Sequence, residues 1–264
     1  MRESLLPFAR PMNASEVLDA GFRLFRVTLP RSLPWSMLAV LLGQAPRALD
    51  LLRNTAAVTL SHKDPLWWGV AAAGGVLNLL LYALILLRQQ TVAYATPRSL
   101  RGDLLQALRA LPAFLLISLL GGLPMLLVGL AAVAGWWGMA LALLVPALYL
   151  TVAVWFAAYL RLLQQRQPLA ALADSIRLTR GWWWRTSGVL AVVLVVLLVL
   201  YALGAVVAIV LTQLFATADV ALLSVVTTVV VVVVAAFFLP LLGAIGHTLF
   251  ADLQLRRAAG RLIA

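Results

Sequence analysis

Five stretches of this chain, residues 66–87, 112–134, 137–160, 189–212 and 220–246, run without a single Asp, Glu, Lys or Arg. Each is long enough to cross a bilayer's hydrocarbon of about 30 Å as an α-helix, for which roughly 20 apolar residues are needed. In 264 residues the apolar class reaches 64%, charged residues only 11%, and the mean hydropathy is +1.04. A soluble domain of this size has too little interior to bury so many Leu, Val and Ala side chains. The chain therefore reads as an all-α integral membrane protein.

A sixth stretch, residues 32–52, is weaker, because its apolar run stops near Ala45 and Pro46, Arg47, Asp50 and Arg53 follow. Charge placement decides whether it crosses. With six spans both termini share a face, and 17 arginines gather there against Arg47, Arg53 and Lys63 on the other. Counting acidic residues, that face carries +11 and the opposite face zero. With five spans the N-terminal arginines would change sides and spoil the bias. The positive-inside rule thus predicts six transmembrane helices in three hairpins, with both termini cytoplasmic. The expectation is one polytopic domain over 1–264. Residues 1–31 are its cytoplasmic amphipathic N-terminus, and 247–264 a basic cytoplasmic tail. The first thirty residues carry Arg2, Glu3, Arg10 and four more charges, so they do not read as a secretory signal peptide.

Tryptophans agree with these limits. Trp67, Trp68, Trp136 and Trp137 fall at expected outer helix ends, and Trp35, Trp182, Trp183 and Trp184 at or towards inner ends. Indoles prefer headgroup depth, so all eight are expected interfacial anchors.

Each odd-numbered span is preceded by a short amphipathic stretch, expected as a cytoplasmic helix lying in the interface. Leu18, Phe22, Phe25 and Leu29 share a face in the first, where Asn13 and Glu16 mark a helix start. Leu100, Leu104, Leu108 and Leu111 do so in the second, and Leu169, Leu172 and Ile176 in the third. All three contain Leu-x3-apolar-Arg, ending in Arg23, Arg109 and Arg177. Such basic amphipathic helices attract anionic headgroups, which makes these three arginines the candidate contacts for anionic lipid or a membrane partner.

Chemistry-bearing constellations are missing from the sequence. Cysteine is absent, and the two histidines, His62 and His247, fall on opposite faces with no carboxylate at ligand spacing. No phosphate-binding loop or nucleophile elbow appears, and no acids or bases gather at one depth. No enzymatic activity, metal or cofactor is expected. Nor is nucleic acid, because topology accounts for the charge. Pro124, Pro146 and Pro240 lie within spans, where kinks can open a cavity.

Three segments carry a resemblance. Residues 15–22 (SEVLDAGF) look like a leading cytoplasmic helix, 171–181 (ALADSIRLTRG) a central segment containing Ser-x-x-Leu, and 248–257 (TLFADLQLRR) an exit with Asp-Leu and basic residues. In these and in layout the chain resembles the YciC-like superfamily of bacterial inner-membrane proteins, which includes the membrane domain attached to some glycerophosphodiester phosphodiesterases. The resemblance implies six helices and a non-catalytic membrane module, since the phosphodiesterase chemistry of fused relatives belongs to a separate soluble domain.

The expectation is a structural or accessory protein of a bacterial inner membrane, an origin matched by a basic set with one Lys in twenty. It would bind anionic lipid, a membrane-protein partner or a second copy through its basic cytoplasmic rim. The competing expectation is a transporter or lipid- or amphiphile-translocating permease with a cavity near the proline-kinked spans.

Overall fold

The computed structural model describes residue 6 and residues 10–53, 64–96, 98–214 and 220–263. Arg2, Glu3, His62, Lys63 and Asp219 lie outside them, as do the side chains of Ser224, Thr227 and Arg261. In chain order the helices are α1 (Ala14–Gly43), α2 (Ala45–Leu52), α3 (Pro65–Ala93), α4 (Leu100–Val133), α5 (Trp137–Val154), α6 (Ala157–Gln164), α7 (Pro168–Thr179), α8 (Trp183–Leu214), α9 (Val220–Ala235) and α10 (Phe238–Ile263). No strand occurs among the described residues. Five segments, Pro65–Ala93, Leu100–Val133, Trp137–Gln164, Trp183–Leu211 and Thr228–Ala259, are long and apolar enough to cross a membrane. The protein is a multi-pass helical membrane protein.

Local chemistry sets the helix starts. Asn13 and Glu16 form a reciprocal capping box, each side chain accepting the other's backbone N–H at 2.8 Å. Asp64 caps α3 through the Trp67 N–H at 2.9 Å, with Pro65 in the first turn. Ser99 accepts the Gly102 N–H at 3.1 Å to start α4. Gly135, at φ +79°, turns the chain between α4 and α5, a left-handed conformation that glycine adopts without a Cβ penalty.

The interfacial helices differ from expectation. The first two are not separate elements. Residues 14–31 continue without a break into the weak sixth stretch within α1, and residues 100–111 continue into α4. Pro30, Pro34 and Pro112 are absorbed inside these helices. Only the third amphipathic stretch stands alone, as α7, because Gly181 at φ +85° breaks the chain before α8. The expected tail differs too. Residues 247–263 prolong α10, and Thr248 to Leu253 are buried.

The inward faces are built from small residues. Along α1 the buried row is Val17, Gly21, Leu24, Thr28, Ser32, Ser36 and Ala39, set against α10 and α3. A Cβ at Gly21 would lie 2.7 Å from Ile245 Cγ1. Thr28 and Ser32 return their hydroxyls to the carbonyls of Leu24 and Thr28, at 2.8 and 3.0 Å. On α4, Asp103, Ala107 and Ala110 point inward, whereas Leu100, Leu104 and Leu108 are exposed. Small residues let backbones approach where lipid supplies no hydrophobic drive between helices.

Two breaks interrupt long helices. At residues 155–156, between α5 and α6, the Ser175 hydroxyl of α7 accepts the Phe156 N–H at 3.1 Å and donates to Ala153 O at 2.8 Å. A side chain inserted into the ladder is a recognised cause of a kink. The second break, at 236–237, precedes Pro240 in the first turn of α10, where a missing N–H is harmless. Pro124 and Pro146 leave α4 and α5 continuous. The main core lies beside the first break, where Phe156 stacks on Phe250 at 5.8 Å, with Tyr159, Phe114, Leu86 and Leu87 around them.

Candidate functional site: a basic rim at one end of the bundle

The end of the bundle where α3 passes to α4 and α6 to α7 holds most of the described charge. Two carboxylates there are fully buried. Asp103 pairs with Arg88 at 3.1 Å. Asp252 holds Arg185 at 2.6 Å and Arg256 at 2.9 Å, and accepts the Met12 N–H at 2.8 Å. Both guanidinium groups also donate to the Met12 carbonyl, Arg185 at 2.7 Å. This cluster joins the segment before α1 to α8 and α10. Arg256 also lies 4.5 Å from the Trp182 ring centroid. Asp252 and Arg256 stand one helical turn apart, which the sequence displays. Arg185 and Met12 reach them only through the fold.

The three candidate arginines do not come together. Each lines its own cavity. Arg23 borders one of about 400 Å³ with Glu16 and Asp19. Arg177 borders one of about 320 Å³ with Arg166, Asp174 and Arg257, and lies 3.6 Å from Asp174. Arg109 borders one of about 460 Å³ between α4 and α6, facing Arg161. Arg161 is the residue that sequence reasoning left out. It lies 52 positions after Arg109 and belongs to no repeat, so spacing gives no sign that the two share a wall.

The tryptophans divide among separate partners. Trp67 donates to Asp50 at 3.2 Å and meets Trp68 edge-on at 5.0 Å. Arg53 pairs with Asp64. Trp183 stacks on Tyr149 at 5.3 Å and donates to its carbonyl at 3.1 Å. Trp184, Trp136 and Trp137 are exposed, Trp68 is half exposed, and Trp35 packs beside Ala39 and Leu84. No single point is enclosed by the 182–184 indoles.

His247, expected near a helix end, is buried inside α10, its Nε2 3.0 Å from Leu86 O and its ring edge-on to Tyr159 at 5.2 Å. Nearby, Gln89 donates to Pro240 O at 2.7 Å. A second, apolar cavity of about 460 Å³ lies beside the 236–237 break, lined by Val40, Asn78, Leu197, Tyr201, Phe238 and Leu239 among others. Asn78 closes one wall by donating to Ala39 O at 3.1 Å.

Compared with protein-family models, with curated proteins and with solved structures, the chain matches none.

Proposed function

We propose that this chain is a non-catalytic protein of a bacterial inner membrane, crossing it six times with both termini cytoplasmic, and that its basic rim holds anionic lipid. Its role is structural or accessory, in keeping with the non-catalytic membrane module that its resemblance to YciC-like proteins implies. The observation that carries this reading is the fate of the rim's arginines. Arg88, Arg185 and Arg256 are committed to buried carboxylates. Arg23 and Arg109 have no ion-pair or hydrogen-bond partner among the described residues and are left to meet what lies outside the fold. Near-surface arginines each contribute about 1 kcal/mol towards an anionic leaflet.

Mass spectrometry of the gently solubilised protein tests it. The wild type should retain phosphatidylglycerol in preference to phosphatidylcholine, and the triple variant Arg23→Gln, Arg109→Gln, Arg177→Gln should lose that preference. Equal retention by both proteins would sink the idea.

The apolar cavity beside the 236–237 break favours a second reading, a permease for lipids or amphiphiles. Liposomes containing the protein would then move a labelled lipid faster than empty liposomes, and a Val234→Trp variant that crowds the cavity would slow it. No movement of any lipid or amphiphile tried would reject this reading.

A further inference from the structure

The cavities lined by the three rim arginines differ in how their charge is balanced. Arg23 shares its cavity with Glu16 and Asp19, and Arg177 shares its own with Asp174. Around Arg109 there are two guanidinium groups and no carboxylate, for the cavity is lined by Gly102, Leu105, Gln106, Arg109, Arg161 and Gln165 among others. Asp103, also on α4, is turned away and buried against Arg88.

We propose that this cavity between α4 and α6 is a discrete site for one phosphate group, gripped by Arg109 and Arg161. The proposal rests on the reading of the rim as an anion-binding surface and names its ligand class. Four observations converge on it. Gly102, Leu105, Gln106 and Arg109 fall at i, i+3, i+4 and i+7, so one face of α4 forms the wall. Gln106 is fixed from both sides, donating to Leu162 O at 3.0 Å and accepting from Arg98 at 2.9 Å. Arg161 is pinned by its own donations to Gln165 O at 3.4 Å and Arg166 O at 3.1 Å. Its Nε is nonetheless buried without a hydrogen-bond partner. Nε is closed to a ligand in the cavity, so the grip falls to Nη2, which bonds to no described residue and is left for a phosphate oxygen. A planar guanidinium fork also matches phosphate geometry better than an ammonium does.

The depth favours a lipid as the source. Arg109 precedes the 112–134 stretch by three residues and Arg161 follows the 137–160 stretch by one. Both therefore belong at headgroup level in a six-span arrangement.

The test titrates the purified full chain in detergent with phosphatidylglycerol, with diacylglycerol and with inorganic phosphate, counting bound molecules by native mass spectrometry. The wild type should hold one phosphatidylglycerol and no diacylglycerol. Arg109 is exposed and makes no contact that folding needs, so Arg109→Gln should melt like the wild type and bind about tenfold more weakly, as loss of one charge-assisted contact implies. Arg161→Lys keeps the charge but not the fork and should weaken binding as well, while Arg47→Gln, at an exposed arginine outside this rim, should not. If millimolar inorganic phosphate displaces the lipid, the natural ligand is a soluble phosphate compound; if it does not, the lipid headgroup is the source. Unchanged binding in Arg109→Gln and Arg161→Lys, with loss in Arg23→Gln or Arg177→Gln, overturns this site and leaves the rim reading standing. A wild type that takes phosphatidylglycerol no better than diacylglycerol overturns both.

Discussion

Asp252→Asn would keep the shape of the buried cluster and remove its negative charge, leaving Arg185 and Arg256 side by side with only neutral acceptors. Breaking a buried pair from one side costs about 3–5 kcal/mol. Both arginines keep a little solvent access, at 17% and 16% of their side chains, so the expected loss lies near the lower end. Thermal unfolding in detergent measures it. Arg10→Gln at the exposed Arg10–Glu16 pair should leave the midpoint unmoved, and an equal fall in both variants would refute the distinction. At Gly246 the constraint is space rather than charge, since a Cβ there would overlap the Tyr159 hydroxyl. Gly246→Ala should destabilise by about 1–3 kcal/mol, as overpacking does, and adding Tyr159→Phe should restore part of it. Glu16 carries a pH dependence. The Asn13 backbone N–H, and then Arg10, hold its carboxyl below the ordinary value. The cap it forms is thus complete above the usual carboxylate range and weakens as pH falls through the lowered pKa. Protection factors of the Asn13, Glu16 and Val17 amides, with the intrinsic slowing of exchange in acid divided out, should fall on that acidification in the wild type and stay level in Glu16→Gln.

Among the elements, α1 and α4 show what a sequence in a membrane conceals. Large apolar residues repeat visibly at 18, 22, 25 and 29 and at 100, 104 and 108, and they read as the apolar faces of interfacial helices. On α4 these leucines stay exposed while Asp103, Ala107 and Ala110 are buried, and on α1 Leu18, Phe22 and Phe25 pack partly against the core beside the buried Val17, Gly21 and Leu24. Outside, lipid welcomes Leu as readily as the interior does, so hydrophobicity alone does not decide the facing. The Asn13–Glu16 helix start and the five long apolar segments are legible in the sequence, because caps and apolar length act locally. The Ser175 clip at residues 155–156 and the Asp252 cluster are not, because each depends on partners distant in sequence. A direct check follows from the facing rule. Gly21→Ile should force α1 away from Ile245 and lower stability by about 1–3 kcal/mol, whereas Leu108→Ala, half exposed on α4, should change it by less than about 1 kcal/mol. Thermal midpoints of the two variants decide, and a larger fall for Leu108→Ala would reverse the assignment.

For the molecule as a whole, the open question of sidedness can be put to the chain directly, because it has no cysteine of its own. A single cysteine at Ser15 and another at Gly135 should react with an impermeant thiol reagent from opposite sides of intact inner-membrane vesicles. Six spans also place position 64 opposite position 15, and five spans place them together. Labelling of 15 and 64 from the same side would therefore remove the first span.

The placement of α1 has a bearing on how the protein is made. Its widest interfaces are with α3 and α10, and the segment just before it is held by Asp252 of α10. The partner that completes the first helix leaves the ribosome only after α3 to α9 have done so. Until then Gly21 lacks the Ile245 and Thr248 that close on it, and the Val17 carbonyl lacks the Thr248 hydroxyl. The half-built protein must wait in the bilayer with that groove open, guarded by lipid or by the insertion machinery. A chain cut short before α10 would leave it open for good, an unclosed helix face for the cell's quality-control proteases to find.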